Sequence, residues 1–422
     1  MTSSPLSPRA KGFVLFAAFS GLIGSGMQLG VMPLSSLSVS QDLMGEAFTG
    51  AAGGRWFAWY TAAIMAGAAV GGVLLGSLGD QIGRSRAMAC SILVYAVAGA
   101  IGYFVTSQQQ LLALRFLAGI GVGGMWPNGA ALVSECWSGL SRPVAAGVIG
   151  MGINIGILLL SQIGKQFTVS PESWRWIMLA AASPGLLGLI YFEWLPESPN
   201  WLASRSKAPE AGNTVPVREL LRPPLVSRTS IGIMLATIPL LGAWAASKWM
   251  IPWADKVGGE LHPGYKALTQ GYWAAGATAG SFMGAQIAGW LGRRLSYFLI
   301  SLFSVIVTCG IFLFSRPLAP AFLPLAFVQG FITTLFFGWL PLYLPELFPT
   351  RVRATGTGIS FNLGRIITAI GVFGTGALIA AFDGNYPRVG FVTGLVYGLG
   401  MLAIWWAPDT TADTIDHGTT SD

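Results

Sequence analysis

The sequence predicts an all-α integral membrane protein, with twelve transmembrane helices arranged as two pseudo-symmetric six-helix bundles. Three observations carry this. Of 422 residues, 53% are hydrophobic and only 10% are charged, with a mean hydropathy of +0.63, whereas about a quarter of a soluble protein's residues are charged. Twelve apolar runs reach the roughly 20 residues that a spanning helix needs and lack the short alternating pattern of a barrel. Finally, charged motifs from the first half of the chain recur in the second half at offsets of 209 to 212 residues.

The first run, 11–33, is too long for a signal-peptide core and lacks a cleavage pattern, so it reads as a retained span. It carries Gln28 in "GMQLGVM". The second run, 57–77, passes through "GSLGDQIGRSR" (76–86) into the third, 87–105. The fourth, 111–134, holds Arg115 in "RFLAGIGVGG" and Asn128, and its glycines, with Gly152 and Gly156, read as close helix packing. "ECWSGLSR" (135–142) leads into the fifth run, 143–164, which holds Asn154. The sixth, 175–195, ends at "LPESPNWL", where the longest polar interval begins. That interval predicts four units: an N-terminal bundle over 1–195, a cytoplasmic linker over 196–228, a C-terminal bundle over 229–407 and a cytoplasmic tail over 408–422.

The seventh run, 229–251, holds Trp244 and Lys248; the eighth, 268–290, leads through "GRRL" into the ninth, 296–315. The tenth, 321–344, carries Gln329 and Trp339; the eleventh, 354–380, carries Asn362 and Arg365; the twelfth, 389–407, ends at "APDT". "GRSR" matches "GRRL" 209 residues on, and "ECWSGLSR" matches "ELFPTRVR" at 211, with Glu and Arg seven positions apart in both. "LPES" matches "APDT" at 212, and Gly119 matches Gly330 at 211. Topology alone would not repeat the acids, which contribute little to it. Asp80, Arg84, Glu135, Arg142, Glu197, Arg293, Glu346, Arg353 and Asp409 are therefore expected to gather at one face as a gate. Ion pairs across the two halves would close that face in one state and part in another.

Fourteen Lys and Arg residues fall on the side of these motifs, seven on the opposite side, and three (Arg115, Lys248, Arg365) inside spans. This bias predicts that both termini are cytoplasmic, in a bacterial inner or cell membrane. The net charge of +7 then reflects topology and implies no nucleic-acid partner. The expected partners are the lipid bilayer and a small-molecule substrate, bound by a monomer. Cys90, Cys136 and Cys309 fit no metal spacing and are expected as free thiols. No cofactor or metal site is expected and no enzyme: the two His lie at 262 and 417, and "GIGVGG" has no preceding strand to make a phosphate loop.

Taken together the motifs resemble those of the major facilitator superfamily, over essentially the whole chain. "GSLGDQIGRSR" is similar to the signature between its second and third helices, and "RFLAGIGVGG" to that of its fourth. "LPESPNWL", "ECWSGLSR", "LPELFPTRVRATGTG" and "PDT" resemble the pattern shared by sugar porters and organic-ion transporters. The resemblance implies one cavity between two bundles, alternating access, and contact of Asp80 with the start of the eleventh helix when the inner side is closed. There are departures. Gly289 stands where a second Asp80 would, and Asn200 replaces the usual Arg after "PESP". The fifth helix lacks the Gly-Pro pair of drug–proton antiporters, and the seventh lacks the paired Gln of sugar porters. Gln28 stands where proton-coupled relatives commonly carry an Asp.

Polar residues inside spans usually face the bundle interior. Arg365 lies about 11 residues into its span, roughly 16 Å deep, and "FNLGR" resembles the eleventh helix of organic-anion members, where an Arg contacts the anion. At the 211 offset it corresponds to Asn154, which is expected to face it across the pseudo-symmetry axis. Lys248, with Trp244 one turn earlier, and Gln28, Asn128, Gln329, Trp339 and Asn362 complete the expected substrate-binding set. The function expected is secondary transport of a small polar organic solute, an organic anion such as a carboxylate or acidic sugar. A facilitator or exchanger is expected, because no Asp or His lies in the twelve runs and Glu only near their cytoplasmic ends, at Glu193 and Glu135. A neutral sugar transporter or a proton symporter is the alternative. A transporter-like solute receptor is the alternative of another class, disfavoured because the residues after Ala407 are too few to fold as an output domain.

Overall fold

In the computed structural model, which describes residues 6–136, 142–206, 217–259, 261–349 and 352–410, every regular element is a helix. The first half consists of α1 (Pro8–Met44), α2 (Gly50–Ile82), α3 (Arg84–Ile101), α4 (Gln108–Cys136), α5 (Arg142–Gln166) and α6 (Arg175–Ala182 and Gly185–Trp194). The second consists of α7 (Leu225–Leu241, continued to Met250–Gly258), α8 (Tyr265–Leu291), α9 (Arg293–Phe314), α10 (Phe322–Tyr343), α11 (Arg353–Ala381) and α12 (Tyr386–Gly394 and Val396–Ala403). Two short helices, Pro199–Ser206 and Val217–Leu220, lie between α6 and α7.

Several helices outrun the apolar runs that announced them. α1 continues to Met44 because Ser35, Ser36, Ser38 and Ser40 are buried against protein, where neighbouring helices replace lipid. α7 continues to Gly258 and so brings Asp255 into a span, as the lengths of α1 and α2 bring in Asp42 and Asp80 near their ends, which corrects the expectation of spans without Asp. Among the described residues, ten helices are long and apolar enough to cross a membrane. α5 and α8 are not among them, and these two pack along each other. A helix covered by protein needs less apolar surface than one facing lipid.

α5 against α8 and α2 against α11 form the two seams between the halves. Within each half, glycines bring a helix pair to backbone contact. A Cβ on Gly67 (α2) would stand 2.0 Å from the Phe116 carbonyl oxygen of α4, and one on Gly276 (α8) 2.0 Å from that of Phe327, at the N-terminal side of Gly330 in α10. Gly67 and Gly276 are themselves 209 residues apart, so the duplication extends from the motifs to the packing. Gly276→Val is expected to lose folded protein, at or beyond the upper end of the about 1–3 kcal/mol of overpacking. Gly289→Val, with nothing within 4 Å of its Cβ, is expected to fold normally. Size-exclusion yield and melting temperature in detergent check this pair.

The ends of the molecule differ. Call the end bearing 76–86 the motif end. Away from it, one apolar cluster runs through both halves and includes Val31, Phe57, Ile157, Trp249, Trp273 and Tyr386. Toward the motif end the core divides into one cluster around Met88 and Tyr191 and another around Tyr297 and Tyr343.

Candidate functional site

At the far end the halves are joined by polar bonds as well as by this cluster. Lys266 of α8, 4% exposed, pairs with Asp255 of α7 at 3.1 Å and also donates to Ser38 Oγ of α1 at 3.1 Å. The Tyr386 hydroxyl donates to the Gly50 carbonyl at 3.3 Å. The rings of Phe57 and Trp249 meet edge to face at 5.0 Å.

At the motif end each half pairs its charges internally. In the first, Arg84 bonds Asp80 at 2.5 Å and approaches Glu135 at 3.7 Å, and Ser198 Oγ donates to Glu135. Glu197 accepts the backbone N–H groups of Arg84 (3.0 Å) and Ser85 (3.1 Å), at the positive start of α3. Gly83 permits this approach: its φ is +108°, and a Cβ there would meet Glu197 Oε2 at 2.1 Å. Burial holds the Glu197 carboxyl above its ordinary value, while the N–H donors of Ser198, Ser85 and Arg84 pull the other way. In the second half, Arg293 grips Glu346 with two bonds, 3.0 and 2.8 Å, Thr410 donates to the same carboxylate, and Arg353 Nε donates to the Phe348 carbonyl. Asp409 lies two residues after Ala407, whose carbonyl accepts from Arg294. The Arg142 side chain lies outside the described residues. Among the described residues no ion pair joins the two halves here, and Asp80 pairs with Arg84 rather than with the start of α11. Among the described residues the ion pairs thus lie within the halves and not across them, and the two inner apolar clusters are separate.

In the middle of the seams the duplication becomes chemical. Asn154 of α5 donates to the Ala277 carbonyl of α8 at 3.4 Å and to Ser281 Oγ at 2.7 Å. Arg365 of α11 donates to the Ala68 carbonyl of α2 at 3.3 Å. Ala68 and Ala277 are 209 apart, and Asn154 and Arg365 are 211 apart, so these are equivalent contacts on opposite seams. The two side chains therefore do not face each other across the axis, because each crosses to a different helix. Where the first seam offers Ser281, the second has Gly72. A Cβ at Gly72 would stand 2.8 Å from Asn362 Oδ1 and 3.5 Å from Arg365 Nη1. Arg365 is partly exposed, lies 4.7 Å from the Phe361 ring and 3.5 Å from Asn362 Oδ1, and has no acid partner among the described residues.

A second polar centre lies in α7. The helix widens into a π turn at Gly242–Ala246, tightens over Ser247–Trp249, and resumes at Met250. Pro239 and Pro252 flank this break, and each removes a helical N–H. The carbonyl of Leu235 freed by Pro239 accepts the Tyr297 hydroxyl at 2.9 Å. Lys248 points from the break onto the face of Trp273, its Nζ 3.2 Å from the ring centroid and 5.5 Å from that of Trp244. Trp273 donates to Gln329 Oε1 at 2.7 Å, and Gln329 Nε2 donates to Ser247 Oγ and, at 3.1 Å, to Thr308 Oγ1.

Three further expected residues each bond within their own half, Gln28 and Asn128 in the first and Trp339 in the second. Gln28 accepts from Arg115 through its side chain (3.1 Å) and its carbonyl, and donates to the Ala181 carbonyl at 3.0 Å, which ties α1, α4 and α6. Asn128 donates to the Leu75 carbonyl at 2.8 Å, fixing α4 to α2. Trp339 donates to Ser296 Oγ at 3.0 Å among Tyr297, Phe336 and Tyr343. Sequence reasoning missed Trp273, Ser247 and the Asp255–Lys266 pair. Pro239 in the seventh run and Pro252 just past its end were the available signal for the break.

The Major Facilitator Superfamily model matches residues 14–372. A Haemophilus influenzae protein named for metabolite transport is 28% identical over 427 residues, covering 95% of this chain and 97% of the relative. The cis,cis-muconate transport protein of Acinetobacter baylyi is 26% identical over 336 residues, covering 78% and 79%. Among solved structures, the Escherichia coli xylose transporter in a partially occluded inward-open conformation superposes with a TM-score of 0.72 at 16% identity, covering 95% of this chain and 99% of that one.

Proposed function

This chain belongs to the Major Facilitator Superfamily, a multi-pass family of secondary transporters, and from that premise we propose that it carries a small organic anion by alternating access. The observation that supports this most is Arg365, a cation in the seam between the halves with no acid beside it among the described residues. A charge so placed is stabilised by an anion that arrives from outside the protein. A relative named for cis,cis-muconate, itself an organic anion, agrees with this reading. Bundles 1–195 and 229–407 rock about the seams, with Asn362 and Arg365 contacting substrate, and the motif-end charges gate the inner mouth. The motif end and both termini face the cytoplasm of a bacterial inner membrane, since most Lys and Arg lie there. The protein acts as a monomer, and transport rather than catalysis is its activity.

Asp255, the acid that α7 brings into its span, is held by Lys266 at the closed far end. Flux is therefore proposed to run as facilitation or exchange. Counterflow of a labelled carboxylate in proteoliposomes tests transport itself, and absence of counterflow across a carboxylate panel would overturn it. In the same vesicles, an imposed inward proton gradient at clamped potential should not accumulate a fully ionised substrate above equilibrium. Such accumulation would show that a proton site exists in the transport path.

A further inference from the structure

We infer that Lys248 is a second anion-binding centre, so that the substrate is a diacid with one acidic group on Arg365 and the other on Lys248. This rests on the organic-anion reading of Arg365 and extends it to a second charge.

Lys248 is 1% exposed, and its ammonium has no hydrogen-bond acceptor and no acid partner among the described residues. The neighbouring polar atoms are already committed: Ser247 Oγ receives Gln329, and Gln329 Oε1 receives Trp273. Two indole faces attract a cation only modestly. Taking an ammonium out of water costs considerably more than that unless it is paired. The other buried lysine among the described residues shows how such a charge is settled: Lys266, at 4% exposure, has Asp255 at 3.1 Å. Lys248 sits in an equally enclosed place, with aromatic walls but no acid among the described residues.

These two cations, without acid partners among the described residues, lie on helices that pack together, α7 and α11. Trp244 packs with Val372 of α11 and against the cluster that contains Ala369. Ala369 lies one turn beyond Arg365, and Lys248 lies one turn beyond Trp244. α7 and α11 run in the same direction from the motif end, and Gly364 of α11 stands beside Ala236 and Thr237 of α7, so the backbone positions of Arg365 and Lys248 are separated by roughly 16 Å along the helices, at 1.5 Å per residue. The half-buried Trp244 forms the wall between them. A molecule with two carboxylates joined by a short extended carbon bridge fits this spacing, its bridge lying along the indole. The break in α7 puts Lys248 in the tight turn that follows the π turn, as in carriers whose discontinuous helices line the site.

The test compares binding of adipate with that of its monomethyl ester to the purified full-length protein by isothermal titration, in wild type, Lys248→Met and Arg365→Gln. Wild type should bind adipate at least about tenfold more tightly than the monoester, the equivalent of one modest charge pair. In Lys248→Met this ratio should fall to about one, and in Arg365→Gln both ligands should bind more weakly. Should Lys248→Met fail to fold, Lys248→Gln gives the same comparison. Equal binding of the two ligands by wild type, or a preference that survives in the Lys248 variant, overturns this inference alone. Affinities for both ligands that are unchanged in Arg365→Gln overturn the organic-anion reading on which it rests.

Discussion

Arg365→Gln is expected to weaken binding of a carboxylate substrate by roughly 10- to 150-fold while the protein still folds. The magnitude follows from the about 1.5–3 kcal/mol that a hydrogen bond to a charged group contributes. Folding should survive because Arg365 bonds only the Ala68 carbonyl and Asn362, so its removal leaves no acid unpaired. Gln retains a donor for that carbonyl. The opposite seam already runs on this chemistry, since Asn154, a neutral amide, makes the equivalent bond to Ala277. Titration of the substrate into detergent-purified protein, with melting temperature as the folding control, measures both. An unchanged affinity in a folded variant would mean that the anion is held elsewhere and that Arg365 serves only to join α11 to α2.

Asp255→Asn is expected to shift the conformational equilibrium toward opening at the far end by tenfold or more. Lys266 is buried there and has two partners, Asp255 within its own half and Ser38 across the seam. Removing one partner of a buried pair costs about 3–5 kcal/mol, because the remaining charge is left uncompensated. Part of this is offset by water, since the Asp255 side chain keeps 19% exposure. The cost falls chiefly on the closed state, as opening lets water reach the ammonium. Spin labels at Glu46 and Leu261, both exposed and on different halves, report the separation of the two halves by pulsed dipolar spectroscopy. A distance distribution identical to wild type would show that the apolar cluster around Trp249, not the ion pair, holds this end shut.

Much of the fold was legible in the sequence because it depends on quantities that are local along the chain. An apolar run of sufficient length leaves the backbone no alternative to a helix in lipid. Repeated motifs at one offset then imply a repeated unit, and the packing of Gly67 and Gly276 at the same offset follows from it. Arg365 and Lys248 stood out for the same kind of reason, as charges at depths where a charge is costly.

What tertiary structure alone decided is which way each side chain turns and what it meets. Gln28, Asn128 and Trp339 lie in apolar runs like those of Asn154 and Arg365, yet they turn into one half and tie its helices together. Helix rotation makes that difference, and composition along a run does not encode rotation when both the bundle interior and the seam accept polar groups. The extents of α1 and α7 were hidden likewise, since a serine-rich or charged turn remains helical inside the protein when neighbouring helices or a partner such as Lys266 satisfy it. The motif-end charges show the same limit. The sequence determined that acids and arginines gather twice at one end, but whether they bond within a half or across both depends on how the two bundles are tilted, a property of the conformation that no single residue carries.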